Sequence, residues 1–250
     1  SGMGAAVIGR ASDRIIEKGR QIAAHRLEAA PEDIEFKAGR FAVAGTDKAL
    51  AWKEVAELAY SARMLPPKME TGLAASASFT PPAPTFPNGA HVSEVEIDPE
   101  TGVVRIDRYT VVDDVGTVIN PLLLKGQMHG GIVQGLGQVL FENLRFDPES
   151  GQILTGSLMD YCLPRADDVP NFTVDTHPVP TPINPMGIKG AGEAGTVGAL
   201  SCVQSAILDA LAPLGIKWLD MPATPDRVWK AIRDAERLSE REAVRRGAEK

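Results

Sequence analysis

The stretch His91–Asp113, HVSEVEIDPETGVVRIDRYTVVD, decides the fold class. Ser93, Val95 and Ile97 alternate with Glu94 and Glu96, and the alternation resumes from Val103 to Asp113. A period of two is the signature of a strand with one buried face. Between the two runs stands Asp98-Pro-Glu-Thr-Gly102, whose residue types suit a tight turn, so the stretch predicts a β-hairpin. Asp147-Pro-Glu-Ser-Gly151 repeats the turn between Leu144–Phe146 and Ile153–Leu154. Hairpins interleaved with helical segments predict an α+β fold, with mixed β-sheet layers and packed helices, over a doubly wound βαβ series.

Upstream, Ile15, Ile16, Ile22, Ala23 and Leu27 recur at turn spacing and predict a helix over 11–29. Ile34–Phe36, a turn at Ala38-Gly39 and Phe41–Val43 predict a second small hairpin, and Trp52–Tyr60 returns to helical spacing. Phe79–Gly89 carries prolines at 81, 82, 84 and 87, which stiffen and extend the backbone; it suits a linker or the wall of a substrate funnel. Downstream, Thr224-Pro225-Asp226 is a helix start, and the helix it opens makes Trp229 an expected core residue beside Val228 and Ile232. These signals divide the chain into a body over 1–236 and a charged helical tail over 237–250. The body splits into a helix–hairpin–helix layer, 1–75, and a second layer, 76–236.

An apolar content of 44% suffices for a core in a chain of 250 residues. The net charge of −7 argues against nucleic acid or an anionic membrane surface as partner. No run long and apolar enough to span a membrane is expected, and no secretory signal opens the chain, which makes the cytoplasm the expected compartment. Ser1–Ala6 reads like the interior of a longer protein. Cys162 and Cys202 cannot hold an iron–sulfur cluster and are expected to be small buried apolar residues. His25, His91, His129 and His177 show no metal-ligand spacing.

Two glycine-rich segments carry the chemistry. Lys125–Asn143 has an apolar stripe at helical spacing through Met128, Ile132, Leu136, Val139 and Leu140, yet it contains Gly130, Gly131, Gly135 and Gly137. Each interior glycine costs about 0.5–1 kcal/mol against alanine, so close approach of another backbone or of a flat ligand must compensate. Gln127 and, less strongly, Gln134 are candidates for ligand contact. The second segment, Asn184–Gly198, reads NPMGIKGAGEAGTVG and runs into a helix over 196–211. It places one carboxylate, Glu193, among glycines just before a helix N-terminus. That arrangement suits an acid or base held against a large cofactor in a dry pocket, where a carboxyl pKa rises. Gly190-x-Gly192-x-x-Gly195 also satisfies a dinucleotide-binding pattern, but prolines rather than a strand precede it.

Six blocks stand in order: TFPNG, VEIDPETG, DVGTVINP, GQMHGGIVQGLGQ, DYxLP and KGAGEAGTVGA. With them the chain resembles the molybdopterin-binding subunit of the xanthine oxidase and aldehyde oxidase family of molybdenum hydroxylases, in its C-terminal portion. The resemblance implies a second molybdenum-cofactor-binding domain type. It also implies a molybdopterin with Mo, in the cytosine dinucleotide form typical of the bacterial branch. On it, Glu193 matches the general base, which takes a proton from a water-derived oxygen as that oxygen attacks an electrophilic carbon. Gln127 matches the glutamine that hydrogen-bonds the cofactor. Asn120, Lys125, Lys189, Gly190 and Gly192 fall where the pterin or nucleotide packs. No protein side chain is implied as a metal ligand, because the cofactor's dithiolene holds the metal.

The family's function is oxidative hydroxylation of an aldehyde or an aromatic N-heterocycle, with water as oxygen source. Electrons leave through partners carrying [2Fe-2S] and FAD. The resemblance therefore implies an iron–sulfur subunit, an FAD subunit and an N-terminal molybdopterin-binding portion as partners, and activity only in their company. Two other readings compete. One is a non-catalytic structural relative that keeps the scaffold without the cofactor. The other is a nicotinamide-dependent oxidoreductase built on the Gly190–Gly195 pattern.

Overall fold

A computed structural model of the chain describes residues 2–248; Ser1 and the last two residues of the expected tail, Glu249 and Lys250, lie outside the described residues. The chain forms two compact units, Ser1–Pro84 with Ile183–Met186, and Thr85–Pro182 with Gly187–Lys250.

In the first unit, helix α1 (Gly2–Leu27) turns its Ile22, Ala23 and Ala24 inward. His25 and Arg26 complement the dipole in its last turn, and Glu28, at φ 55°, ends it. Strands β1 (Ile34–Lys37), β2 (Arg40–Val43) and β3 (Ala49–Ala51) form an antiparallel sheet in that order. The third strand was not foreseen, since Ala-Leu-Ala has neither length nor β-branching to announce it. Gly19 lets α1 settle onto the sheet, because a Cβ there would come within 2.5 Å of the Phe41 ring. Helix α2 (Trp52–Ala59) starts where the Glu54 carboxylate accepts the Ala51 N–H at 2.6 Å.

The second unit is built on the expected hairpin. Strand β4 (Asn88–Ile97) pairs antiparallel with β5 (Val104–Asp114), with a bulge at Glu94/Val95. Asp98 organises the turn, accepting from the Glu100 N–H at 2.9 Å and the Thr101 hydroxyl at 2.7 Å. Strand β6 (Thr173–Thr176) adds to β5 in parallel, which makes the sheet mixed and the fold α+β as expected. The Asp147–Gly151 turn closes a minimal hairpin, a single antiparallel bridge between Phe146 and Ile153.

Helices α3 (Pro121–Leu140) and α4 (Ala194–Leu211) share one core with the sheet, around Val111, Ile132, Leu136, Val203 and Ile207. Two of the α3 glycines are explained here. A Cβ at Gly131 would stand 3.1 Å from the Thr196 nitrogen, and one at Gly135 would stand 2.7 Å from the Ala199 Cβ. Another backbone, that of α4, compensates their helix cost.

Three expectations are corrected. Ala194–Leu214, with mean hydropathy 1.5, is long and apolar enough to cross a membrane by length and composition. Ala, Val, Leu and Ile outweigh its small polar residues, and Ala199, Val203, Ile207 and Leu211 are buried in the unit's core. Trp229, on α5 (Pro225–Ala248), is 40% exposed rather than core. Val228 and Ile232 take the inner face, while Trp229 packs against Gly102 and under Arg233, 5.6 Å from its ring. Cys162 is exposed and Cys202 half-buried, so only the second resembles the buried apolar residue expected.

Candidate functional site

Two of the six blocks line one cavity of about 520 Å³ in the second unit. Phe86, Pro87, Asn88 and Gly89 form one wall where the chain enters β4, and the loop from Gly190 to Gly198 at the start of α4 forms the other. Glu193 is the residue just before α4, at φ −117° and ψ 1°; its carbonyl accepts the Val197 N–H at 3.0 Å while its side chain caps nothing. A glutamate is too long to fold back on its own helix start as aspartate or serine does, so the carboxylate is left for other work. The dry pocket expected from the sequence is not formed within this chain: Glu193 is exposed at the cavity mouth.

Gln127, on α3, donates through Nε2 to the Gly192 carbonyl at 2.7 Å. The two glycine-rich segments therefore meet one residue before Glu193, which neither periodicity nor spacing could reveal. Gly190 and Gly192 are exposed, adopt no positive φ, and have no atom within 4 Å of where a Cβ would stand. Neither strain nor crowding within the chain accounts for glycine there; what remains is a bare backbone open to a ligand. Gly195 is the opposite case: a Cβ there would stand 2.6 Å from the Met128 carbonyl oxygen.

The other expected site residues stand elsewhere in the second unit, and Asn120 and Lys189 make bonds within the chain. Asn120 is the N-cap of α3, its side chain accepting from the Leu123 N–H at 3.1 Å. Lys125 is exposed on the same helix, and Gln134 accepts from the Thr196 hydroxyl across the α3–α4 contact at 3.3 Å. Lys189 turns its ammonium onto Asp114. No strand leads into Gly190 among the described residues; Ile188 lies in an isolated bridge to Gly116, unlike a dinucleotide-binding turn. In DYxLP, the Tyr161 hydroxyl donates to Glu142 at 2.6 Å, which is again framework.

Four residues that the sequence did not single out shape the site. The Asp114 carboxylate accepts from the Gly116 N–H at 2.8 Å, the Val179 N–H at 2.9 Å and the Lys189 ammonium. It thereby pins the loop leading to Gly190 against the end of β5. Lys189 above all, then these amides, hold its pKa at about 2, below the ordinary 3.8. A depressed carboxyl pKa stabilises the fold fully above 3.8, and that stabilisation is lost as pH falls towards about 2. Asp114→Asn is thus expected to lower the thermal midpoint at pH 6 and to narrow the gap from the parent as acid is added towards pH 2; a gap independent of pH would exclude the ion pair as its cause.

The other three are His91, Tyr109 and Asp113. His91 Nδ1 lies 2.6 Å from the Tyr109 hydroxyl, and Nε2 lies 3.4 Å from Asp113 Oδ1. The His91 and Asp113 side chains are 7% and 3% exposed, so this cluster is buried where it borders the cavity. A long-range strand register brings these residues together, and only the alternation at His91 hinted at their shared face.

The family described as "Molybdopterin cofactor-binding domain" matches residues 1–170. This chain belongs to that family. The chain is also similar to other proteins over most of its length. It is 38% identical over 230 residues to the carbon monoxide dehydrogenase large chain of Hydrogenophaga pseudoflava, covering 92% of this chain and 28% of that one. Against the nicotine 6-hydroxylase large subunit of Paenarthrobacter nicotinovorans, it is 36% identical over 90% of this chain and 28% of the other. Among solved structures, quinoline 2-oxidoreductase from Pseudomonas putida 86 superposes with a TM-score of 0.80 at 40% identity, covering 90% of this chain and 29% of that one. The chain thus spans less than a third of the length of these relatives.

Proposed function

We propose that this chain is the catalytic-base-bearing portion of a molybdenum hydroxylase, acting on an aldehyde or an aromatic N-heterocycle with water as the source of oxygen. The observation that carries the reading is that the bare glycines 190 and 192 and Glu193 line one cavity, while Gln127 is hydrogen-bonded to the Gly192 carbonyl behind it. The residues suit a pterin cofactor. Gly190 and Gly192 offer open backbone, and Gln127, anchored through its Nε2, keeps its carbonyl oxygen to accept a donor. Among the described residues no group of three or more His, Cys, Asp or Glu could hold a metal, so the metal would arrive on the pterin's own sulfurs. When bound, that group supplies the two-electron oxidising capacity.

The chain's own residues do the rest. Glu193 accepts the proton released as a water-derived oxygen bonds to the substrate carbon, its carboxylate standing at the cavity mouth with no structural bond to break first. Gln127 holds the Gly192 carbonyl and so sets where that carboxylate starts. Phe86, Pro87 and Val197 give the cavity apolar walls that suit a flat ring. Lys125, Lys189 and Asn120 lie on flanking segments, where the dinucleotide tail of a cytosine dinucleotide cofactor would pass. Relatives named as a large chain, a large subunit and a "complex subunit gamma" support assembly with further subunits. We assign these as the remaining molybdopterin-binding portion, an iron–sulfur subunit and an FAD subunit, in the cytoplasm. The test is Glu193→Gln in the assembled, cofactor-loaded protein; unchanged turnover overturns the reading.

A further inference from the structure

The proposed chemistry leaves the buried cluster of His91, Tyr109 and Asp113 without a task. We infer that His91 is a positioning residue: buried between Tyr109 and Asp113, it seats the first turns of α4, and with them Glu193, over the cavity. The inference rests on the proposed role of Glu193.

Three observations carry it. The imidazole is held from both ends, by the Tyr109 hydroxyl at 2.6 Å and by Asp113 Oδ1 at 3.4 Å. Burial pushes the Tyr109 hydroxyl well above its ordinary pKa, so it stays a neutral O–H beside Nδ1. Nε2 faces Asp113 Oδ1, so the ring has a polar neighbour at each nitrogen. Further, the ring lies directly beneath Gly198 of α4. A Cβ at that position would overlap all of Cε1, Nε2 and Cδ2 of His91. The helix approaches as far as a glycine permits and stops on a buried ring. Lastly, His91, Asp113, Glu193 and Gly198 border the same cavity, so a shift of the α4 start changes where the carboxylate stands.

The structure also shows why this support is needed. Glu193 itself caps nothing, and Gly192 and Gly190 on its other side are open backbone. The Gln127 bond to Gly192 stands on one side of it; on the other, α4 rests on α3 at Gly195 and on the His91 ring at Gly198. A displacement of about 1 Å in a catalytic group can cost on the order of a hundredfold in rate.

The test uses the assembled, cofactor-loaded enzyme with His91→Ala and Tyr109→Phe, the second keeping the ring and deleting one oxygen so that folding is preserved. Amide hydrogen exchange, cofactor content, kcat and KM are measured for each. His91→Ala is expected to speed exchange about tenfold at residues 194–198 alone, with α5 unchanged, and to lower kcat about tenfold or more at near-constant KM and cofactor content. Tyr109→Phe moves the same quantities in the same direction by less. Exchange that rises equally across the unit, or kcat that stays at the parent value, overturns the inference. Glu193→Gln measured alongside separates the two ideas. If it is inactive while His91→Ala turns over fully, the positioning role alone falls; if it keeps its turnover, the assignment of Glu193 falls instead.

Discussion

Glu193→Gln in the assembled, cofactor-loaded protein is expected to lower kcat by about 10²–10⁴, the range general-base catalysis contributes, with molybdenum and pterin content unchanged. The amide has the shape of the acid but cannot take up a proton at neutral pH. The substitution carries little structural cost, because the Glu193 side chain is exposed and makes no cap to α4. A thermal midpoint close to the parent's, within about 0.5 kcal/mol of stability, is therefore part of the expectation. Glu193→Asp keeps the proton acceptor but withdraws it by one methylene, and should fall between the two. Steady-state kinetics beside metal and pterin analysis checks all three. A parent-like kcat would remove the carboxylate from the mechanism, and loss of cofactor would make it a binding residue.

A large effect on stability is expected at Gly195, where α4 crosses α3. An alanine there would bring its Cβ to 2.6 Å from the Met128 carbonyl oxygen and 2.9 Å from the Ile132 nitrogen. Both are backbone atoms inside α3 and cannot swing away as a side chain would. Overpacking of this kind costs about 1–3 kcal/mol or more, whereas alanine's better helix propensity returns no more than about 1 kcal/mol. The net is a clear loss. Gly130, also in a helix, has nothing within 4 Å of its missing Cβ and is exposed. Gly130→Ala should therefore stabilise by about 0.5–1 kcal/mol. Urea unfolding of the two variants gives opposite signs if the glycines serve a helix–helix contact, and equal signs if they do not.

The same contrast shows how far the sequence could be read. Periodicity announced α1, α2, α3 and the β4–β5 hairpin because each is a local repeat, and α4 was legible as the helix-like run that follows the glycines. It missed β3 and β6, which are three and four residues long and owe their existence to a neighbouring strand. It misjudged Trp229, since a step of one residue around a helix moves a side chain from core to rim. In the candidate site, Glu193 and Gln127 were legible because unusual glycine surrounds them. Asp114, His91, Asp113 and Tyr109 were not, being ordinary polar residues in ordinary strands.

The sequence alone determined the α+β class, the order of its helices and hairpins, and the two glycine-rich segments, all properties of residues near one another in the chain. Only the tertiary structure decided which glycines serve packing and which stay bare, that Lys189 faces Asp114, and that a histidine supports the α4 start. The reason is physical. Hydrogen bonds and steric limits act between atoms a few ångströms apart, and the partners at this site lie 18 to 75 residues away along the chain.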